Sequence, residues 1–215
     1  HLRADGQALV FVASRRDAVQ AALKAREVCA ERGIRMGARG DLDVHQGARA
    51  LETDELRGLI PDGVAFHHAG LSRSDRDQVE AWFRAGTVDL LVSTSTLAWG
   101  VNLPARCVVI RDTKYHDPLA GEVDISPLDV LQMIGRAGRP GYDDAGYGWV
   151  IAPASEATQY RRLLADGRAI ESRLLADLDV HLNAEVAIGT IRSRDDLAAW
   201  VRTTFLHHRA GAAPE

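Results

Sequence analysis

Five short apolar runs alternate with stretches of helical periodicity, and this alternation constrains the fold more than any other feature of the chain. Ala8-Leu9-Val10-Phe11-Val12-Ala13 is wholly apolar, the pattern of a strand covered on both faces, and Ser14 then opens a helical pattern through about Arg32. Val64-Ala65-Phe66, Leu90-Leu91-Val92, Val108-Val109-Ile110 and Trp149-Val150-Ile151 are the further strand candidates. Between them, Gly33 to Gly47 reads as a loop and Ala48 to Leu59 as a short helix. Ser72, with Asp75 at the capping-box position, starts a helix that Gly86 ends. Ser126-Pro127-Leu128-Asp129 starts another, with Pro at its first position and an acid in its first turn. Strands and helices alternating at this spacing predict the α/β class: a parallel sheet wrapped by helices, with ligand sites at the carboxyl ends of the strands. After Pro153 only helical patterns follow. Ser193 caps one on which Leu197, Trp200, Val201, Thr204, Phe205 and His208 recur at helical spacing. Trp82, Trp99, Trp149 and Trp200 all read as core positions.

With 215 residues, 46% of them apolar, the chain can bury a full core, and its length suggests one ordinary domain plus a small second one. The net charge of -4 gives no global basic signature, so any nucleic-acid contact has to come from a local patch. Cys29 and Cys107 have no second Cys or His at metal-ligand spacing and read as buried free thiols. The pairs His67-His68 and His207-His208 likewise lack acidic or thiol partners at suitable spacing, and no metal site is expected. No apolar run approaches the roughly 20 residues that span a bilayer, and residues 1–6 do not form a signal peptide. No membrane association and an intracellular location are expected, and the abrupt start without Met suggests a piece of a longer chain.

The segment Gln132-Met133-Ile134-Gly135-Arg136-Ala137-Gly138-Arg139-Pro140-Gly141 places two arginines three positions apart among glycines, directly after a helical pattern. Each guanidinium stays charged and offers a planar fork of donors, so such a pair can grip a terminal phosphate, while the glycines allow close backbone approach. A solvated Gly/Arg surface turn is the plainer reading of the segment by itself. Upstream, Ser93-Thr94-Ser95-Thr96-Leu97-Ala98-Trp99-Gly100-Val101-Asn102 follows an apolar strand and would set hydroxyls and amides at its carboxyl end. A hydroxyl-capped helix start fits that turn equally well.

Taken together, these blocks resemble the second RecA-like lobe of a superfamily 2 nucleic-acid helicase, with wording nearest to the superkiller-like group. Residues 8–18 (ALVFVASRRDA) resemble helicase motif IV, and residues 67–83 (HHAGLSRSDRDQVEAWF) the block that follows it. Residues 91–105 (LVSTSTLAWGVNLPA) resemble motif V, and residues 132–141 (QMIGRAGRPG) resemble motif VI. The resemblance implies a lobe over residues 1–168 and the start of a winged-helix domain over 169–215, the latter carried by residues 170–190. It implies that Arg136 and Arg139 contact the terminal phosphate of ATP held by a partner lobe upstream in the same chain, with Arg139 the arginine finger. Gln132 would fasten motif VI beside the nucleotide, and Gly100 and Asn102 would lie near it. Thr94 would bind a nucleic-acid phosphate, and Ser14, Arg15, His68 and Gly70 would line the backbone groove. Between motifs V and VI, residues 113–123 occupy the place of a strand-separating β-hairpin, with Pro118 and Gly121 suited to its turn, and a plain surface loop fits the same stretch. DNA or RNA is the expected partner, entered at a junction of single strand and duplex, with 3′ to 5′ movement.

What is missing matters as much. The sequence has no GxxxxGK[ST] loop, and Asp54-Glu55 does not end an apolar strand, so neither the phosphate cradle nor the magnesium-binding acid pair is present. ATP and Mg²⁺ would be held by the first lobe, and these residues alone should not turn ATP over. A non-catalytic helicase-like module that docks protein partners is the competing expectation; retention of Gln132, Arg136 and Arg139 favours the enzyme.

Overall fold

The computed structural model describes residues 6–37, 41–167, 172 and 174–212, and its backbone divides into two compact units, one ending at Gly167 and one following it. The first is built on a five-stranded sheet of β1 (Ala8–Val12), β2 (Val64–His67), β3 (Leu90–Thr94), β4 (Cys107–Ile110) and β7 (Tyr147–Val150), in the order β2-β3-β1-β4-β7. Every pairing is parallel. The apolar runs form these strands because both faces of the three central ones are covered: β3 is buried at every position, and Leu9, Leu91 and Val108 are fully buried.

Helix α1 (Arg15–Glu31) packs on β2 and β3, α4 (Arg73–Ala85) on β2, α5 (Thr96–Gly100) on β3 and α6 (Pro127–Ile134) on β4. Ser14, Ser72 and Ser126 cap α1, α4 and α6, each accepting the N–H of an aspartate three residues on. Gly86, at φ 78°, ends α4 in the left-handed region.

The stretch between α1 and β2 departs from expectation. Residues 42–47, expected to end a loop, instead form with Ala48 and Arg49 the helix α2 (Leu42–Arg49), capped by Asp41, whose carboxylate accepts the N–H groups of Asp43 and Val44. Gly47 is tolerated inside this helix because Trp82 lies against it; a Cβ there would stand 2.9 Å from the indole Cζ2. The single helix expected from Ala48 to Leu59 is interrupted, and α3 starts only at Asp54 (Asp54–Leu59). The break is held by the fully buried Asp75, whose carboxylate accepts the Glu52 and Thr53 N–H groups, both at 2.9 Å, and the Thr53 hydroxyl at 2.6 Å.

Between β4 and α6, strands β5 (Lys114–Asp117) and β6 (Gly121–Asp124) pair antiparallel as a hairpin. Asp117 ties its turn by accepting the Leu119 and Ala120 N–H groups, and Leu119 at the tip is 99% exposed. Helix α7 (Ala157–Asp166) closes the first unit and buries Tyr160.

The second unit contains α8 (Leu178–Ala187), α9 (Arg194–Thr203) and α10 (Phe205–Ala212). Ser193 caps α9. The continuous helix expected beyond it breaks at Thr204, whose backbone is extended (ψ 154°) and whose hydroxyl donates to the Val201 carbonyl. Trp82 and Trp200 are half-buried rather than core, and Trp149, on the edge strand β7, is 56% exposed. The side chains of Thr96 and Trp99 lie outside what the structure describes.

Candidate nucleotide and nucleic-acid interfaces

Parallel register brings the ends of three strands together. Val12 lies opposite Thr94 and His67 opposite Ser93, so the chain leaves β1, β2 and β3 on the same rim, carrying Ser14, Arg15, His68, Gly70 and Thr94. Arg15 and Gly70 are exposed, and a Cβ on Gly70 would stand 3.0 Å from Arg15 Nη1 and 3.2 Å from His68 Nδ1. The Gly70 N–H donates to His68 Nδ1 at 3.1 Å, and the His68 ring stacks on Phe66 with centroids 5.5 Å apart. Burial, and then the Arg15 charge, hold His68 below its ordinary value of 6.5, so the ring is the neutral acceptor. Thr94 is only 9% exposed, and Ser14 spends its hydroxyl on capping α1 and on the Asp17 carboxylate. Ser14 and Arg111 stabilise the charged form of Asp17 and hold its carboxyl below the ordinary range, so it stays an anion, and the Arg111 guanidinium 3.2 Å away offsets its repulsion of a phosphate. What remains toward solvent is the Arg15 guanidinium at the start of a 17-residue helix, a favourable place for an anion.

The arginine turn sits elsewhere. Helix α6 runs back against the strand direction, and the residues after it meet the chain entering β4: the Ala105 N–H donates to the Arg136 carbonyl at 2.9 Å, and the Gly138 N–H to the Ala105 carbonyl at 2.7 Å. Arg136 and Arg139 therefore lie by the amino end of β4, not at the carboxyl ends where ligand sites were expected, because one helix separates them from that rim. Gly138 has φ 94°, and Gly146 lies so close that a Cβ would be 2.5 Å from the Ala137 carbonyl carbon.

Arg136 Nη1 donates to Asn102 Oδ1 at 2.6 Å, and Nη2 to the Ala98 carbonyl. Two residues singled out from different blocks, Arg136 and Asn102, are thus in contact. Gly100 is exposed with nothing within 4 Å of its Cβ position, and it borders a cleft of about 330 Å³ with His67, Arg73, Arg76 and Glu80. Gln132 is exposed on α6, one helical turn before Arg136. Arg139 is held differently: both oxygens of Asp143 accept from it at 2.8 Å, and Gln7 Oε1 accepts its Nη1 at 3.1 Å. Sequence reasoning overlooked Asp143 and Gln7. The acid four residues after Arg139 was a visible signal, whereas Gln7 becomes a neighbour only through the fold.

Helix α5 joins the two regions. It starts two residues after Thr94 on the strand rim and ends two residues before Asn102, which touches Arg136. Beside it, a cleft of about 250 Å³ at the carboxyl ends of β1 and β4 is lined by Phe11, Ser95, Asp112, Tyr115 and Met133. Among the described residues no group of three or more His, Cys, Asp or Glu is arranged to hold a metal ion.

A parallel sheet wrapped by helices, with a polar rim and a glycine-arginine turn, defines an α/β lobe of the RecA-like class. The chain belongs to the helicase conserved C-terminal domain family, which it matches over residues 1–141. It is 41% identical over 209 residues to the DExH-box ATP-dependent RNA helicase DExH13 of Arabidopsis thaliana, covering 94% of this chain and 10% of that protein. It is 42% identical over 209 residues to the U5 small nuclear ribonucleoprotein 200 kDa helicase of Drosophila melanogaster, with the same coverage. The pre-mRNA-splicing factor brr2 of Schizosaccharomyces pombe is 41% identical over 214 residues, covering 97% of this chain and 10% of that protein. The chain therefore spans about a tenth of the length of these curated relatives.

Proposed function

We propose that this chain is the second lobe of an ATP-dependent superfamily 2 helicase of the superkiller-like group. Residues 1–168 form the lobe, and residues 169–215 begin a winged-helix domain. RNA is the substrate class that fits the similarity to the DExH-box ATP-dependent RNA helicase DExH13. The observation that carries the reading is the contact of Arg136 with Asn102 and Ala98, which fastens the phosphate-sensing turn to the segment leading back to Thr94.

In this reading ATP and its Mg²⁺ are seated on the first lobe. Arg136 and Arg139 approach the terminal phosphate on lobe closure, Gln132 holds the turn beside it, and Gly100 leaves room for the nucleotide. Arg136 exchanges its neutral acceptors, an amide oxygen and a carbonyl, for phosphate oxygens, which it binds more strongly because they are charged. Freed from Arg136, Asn102 and α5 shift, and the grip of Thr94, Arg15, His68 and Gly70 on the nucleic-acid backbone changes with them. After hydrolysis the contact re-forms, and repetition moves the lobe 3′ to 5′ along one strand. The hairpin β5–β6, with Leu119 at its tip, parts the duplex. In the full-length protein, Arg139→Ala should lower nucleic-acid-stimulated ATP turnover by about 10³-fold or more. Unchanged turnover removes Arg139 from the reaction.

A further inference from the structure

The two arginines of the turn are held by acceptors of different kinds, and this divides their tasks. Arg136 rests on neutral acceptors that a phosphate can replace. Arg139 rests on a carboxylate that is only 3% exposed, while its own side chain is 23% exposed, so the acid lies inward and the guanidinium reaches the surface. Its Nε and Nη2 each meet a different oxygen of Asp143, a bidentate pair, and the Arg139 backbone N–H donates to the same carboxylate at 3.0 Å.

Gln7 closes the seat from the other side. Its Oε1 accepts Arg139 Nη1, while its Nε2 donates to the carbonyls of Phe83 at 2.6 Å and Val88 at 2.8 Å, so the amide cannot rotate away without breaking both of these buried bonds. The Tyr142 ring lies 6.0 Å from the guanidinium carbon. Three of the five guanidinium N–H groups are used in this way, and one on each Nη remains. Swinging Arg139 out as a free finger would break a bidentate pair with an ionised carboxylate together with the Gln7 contact, whereas Arg136 gives up only two neutral acceptors.

We propose that Asp143, with Gln7, is a positioning residue that fixes Arg139 in place, so that Arg139 meets the terminal phosphate from a preset seat with its two remaining N–H groups while Arg136 is the arginine that changes partners. This rests on the helicase-lobe reading above. A group pre-aimed in this way loses no orientation freedom when the lobes close, and misplacing it by an ångström is enough to cost about 100-fold in rate.

Nucleic-acid-stimulated ATPase of the full-length protein tests it with four forms: parent, Asp143→Asn, Arg139→Ala and the double variant. Asp143→Asn should lower kcat by about 100-fold with KM for ATP little changed, and Asp143→Glu, which keeps the charge one methylene further out, should recover part of the loss. In the Arg139→Ala background, Asp143→Asn should cause no further loss. Turnover of Asp143→Asn equal to the parent's overturns the positioning role, and so does a second, additive loss in the double variant. A parent without stimulated ATPase defeats the helicase reading instead. Should the Asp143 variants fail to fold, nitrogen-15 NMR of the unaltered chain decides: the clamp requires a slowly exchanging Arg139 Nε–H, and fast exchange overturns it.

Discussion

Arg136 and Arg139 carry the same charge three positions apart, yet one faces neutral oxygens and the other a buried carboxylate. Arg15 is exposed at the strand rim beside His68 and Gly70, where the proposed reading sets it against the nucleic-acid backbone. If it contacts one backbone phosphate, Arg15→Ala should weaken nucleic-acid binding across sequences and lower the slope of log affinity against log salt by about 1, read from titrations at several salt concentrations. His67 and His68 are both held below 6.5, first of all by burial. Between their lowered values and 6.5 the unfolded chain binds more protons than the folded one, so stability rises with pH through that window and is lost as pH falls through it. Thermal unfolding midpoints measured from about pH 7.5 to about pH 5 should therefore fall, and fall less in His68→Asn. Asp17 and Asp143, held below 3.8, lose their contribution only at more acidic pH, which keeps the two effects apart.

At the scale of elements, glycine spacing sets the shape of the arginine turn. Gly146 leaves no room for a side chain against Ala137 and Gly138, so Gly146→Ala should displace the turn, cost about 1–3 kcal/mol in chemical unfolding and lower ATP turnover although residue 146 touches no ligand in the proposed site. The elements themselves were largely legible: apolar runs marked all five sheet strands, and serine caps marked α1, α4, α6 and α9. The misses have physical causes. Asp41 and the packing of Trp82 on Gly47 make a helix where glycine suggested a loop, Asp75 holds a break that helical periodicity could not show, and Thr204 bonds backward to end α9. Trp149 read as core because an edge strand carries the same residue types as a central one, and only the strand order reveals the difference.

At the scale of the whole molecule, motif wording named the candidate residues but not their places. The strand rim collects Ser14, Arg15, His68, Gly70 and Thr94 because β1, β2 and β3 are parallel and in register, which alternation alone predicted. The arginine turn lies by the amino end of β4 because α6 carries the chain back, and the physical link between the two places through α5 and the Arg136 to Asn102 contact arises only in the fold. In the proposed reading this arrangement offers phosphate donors and a backbone grip, and the sequence contains no phosphate-cradling loop, which gives that reading a direct consequence. Nucleic-acid-stimulated ATP hydrolysis, compared for this chain alone, for the full-length protein and for the full-length protein with Arg136→Ala and Arg139→Ala together, tests it most directly. No turnover by the chain alone, stimulated turnover by the full-length protein and loss of about 10³-fold or more in the double variant are the expected results. Hydrolysis by the chain alone, or turnover by the double variant equal to that of its parent, would contradict a lobe whose arginines complete a nucleotide site held elsewhere.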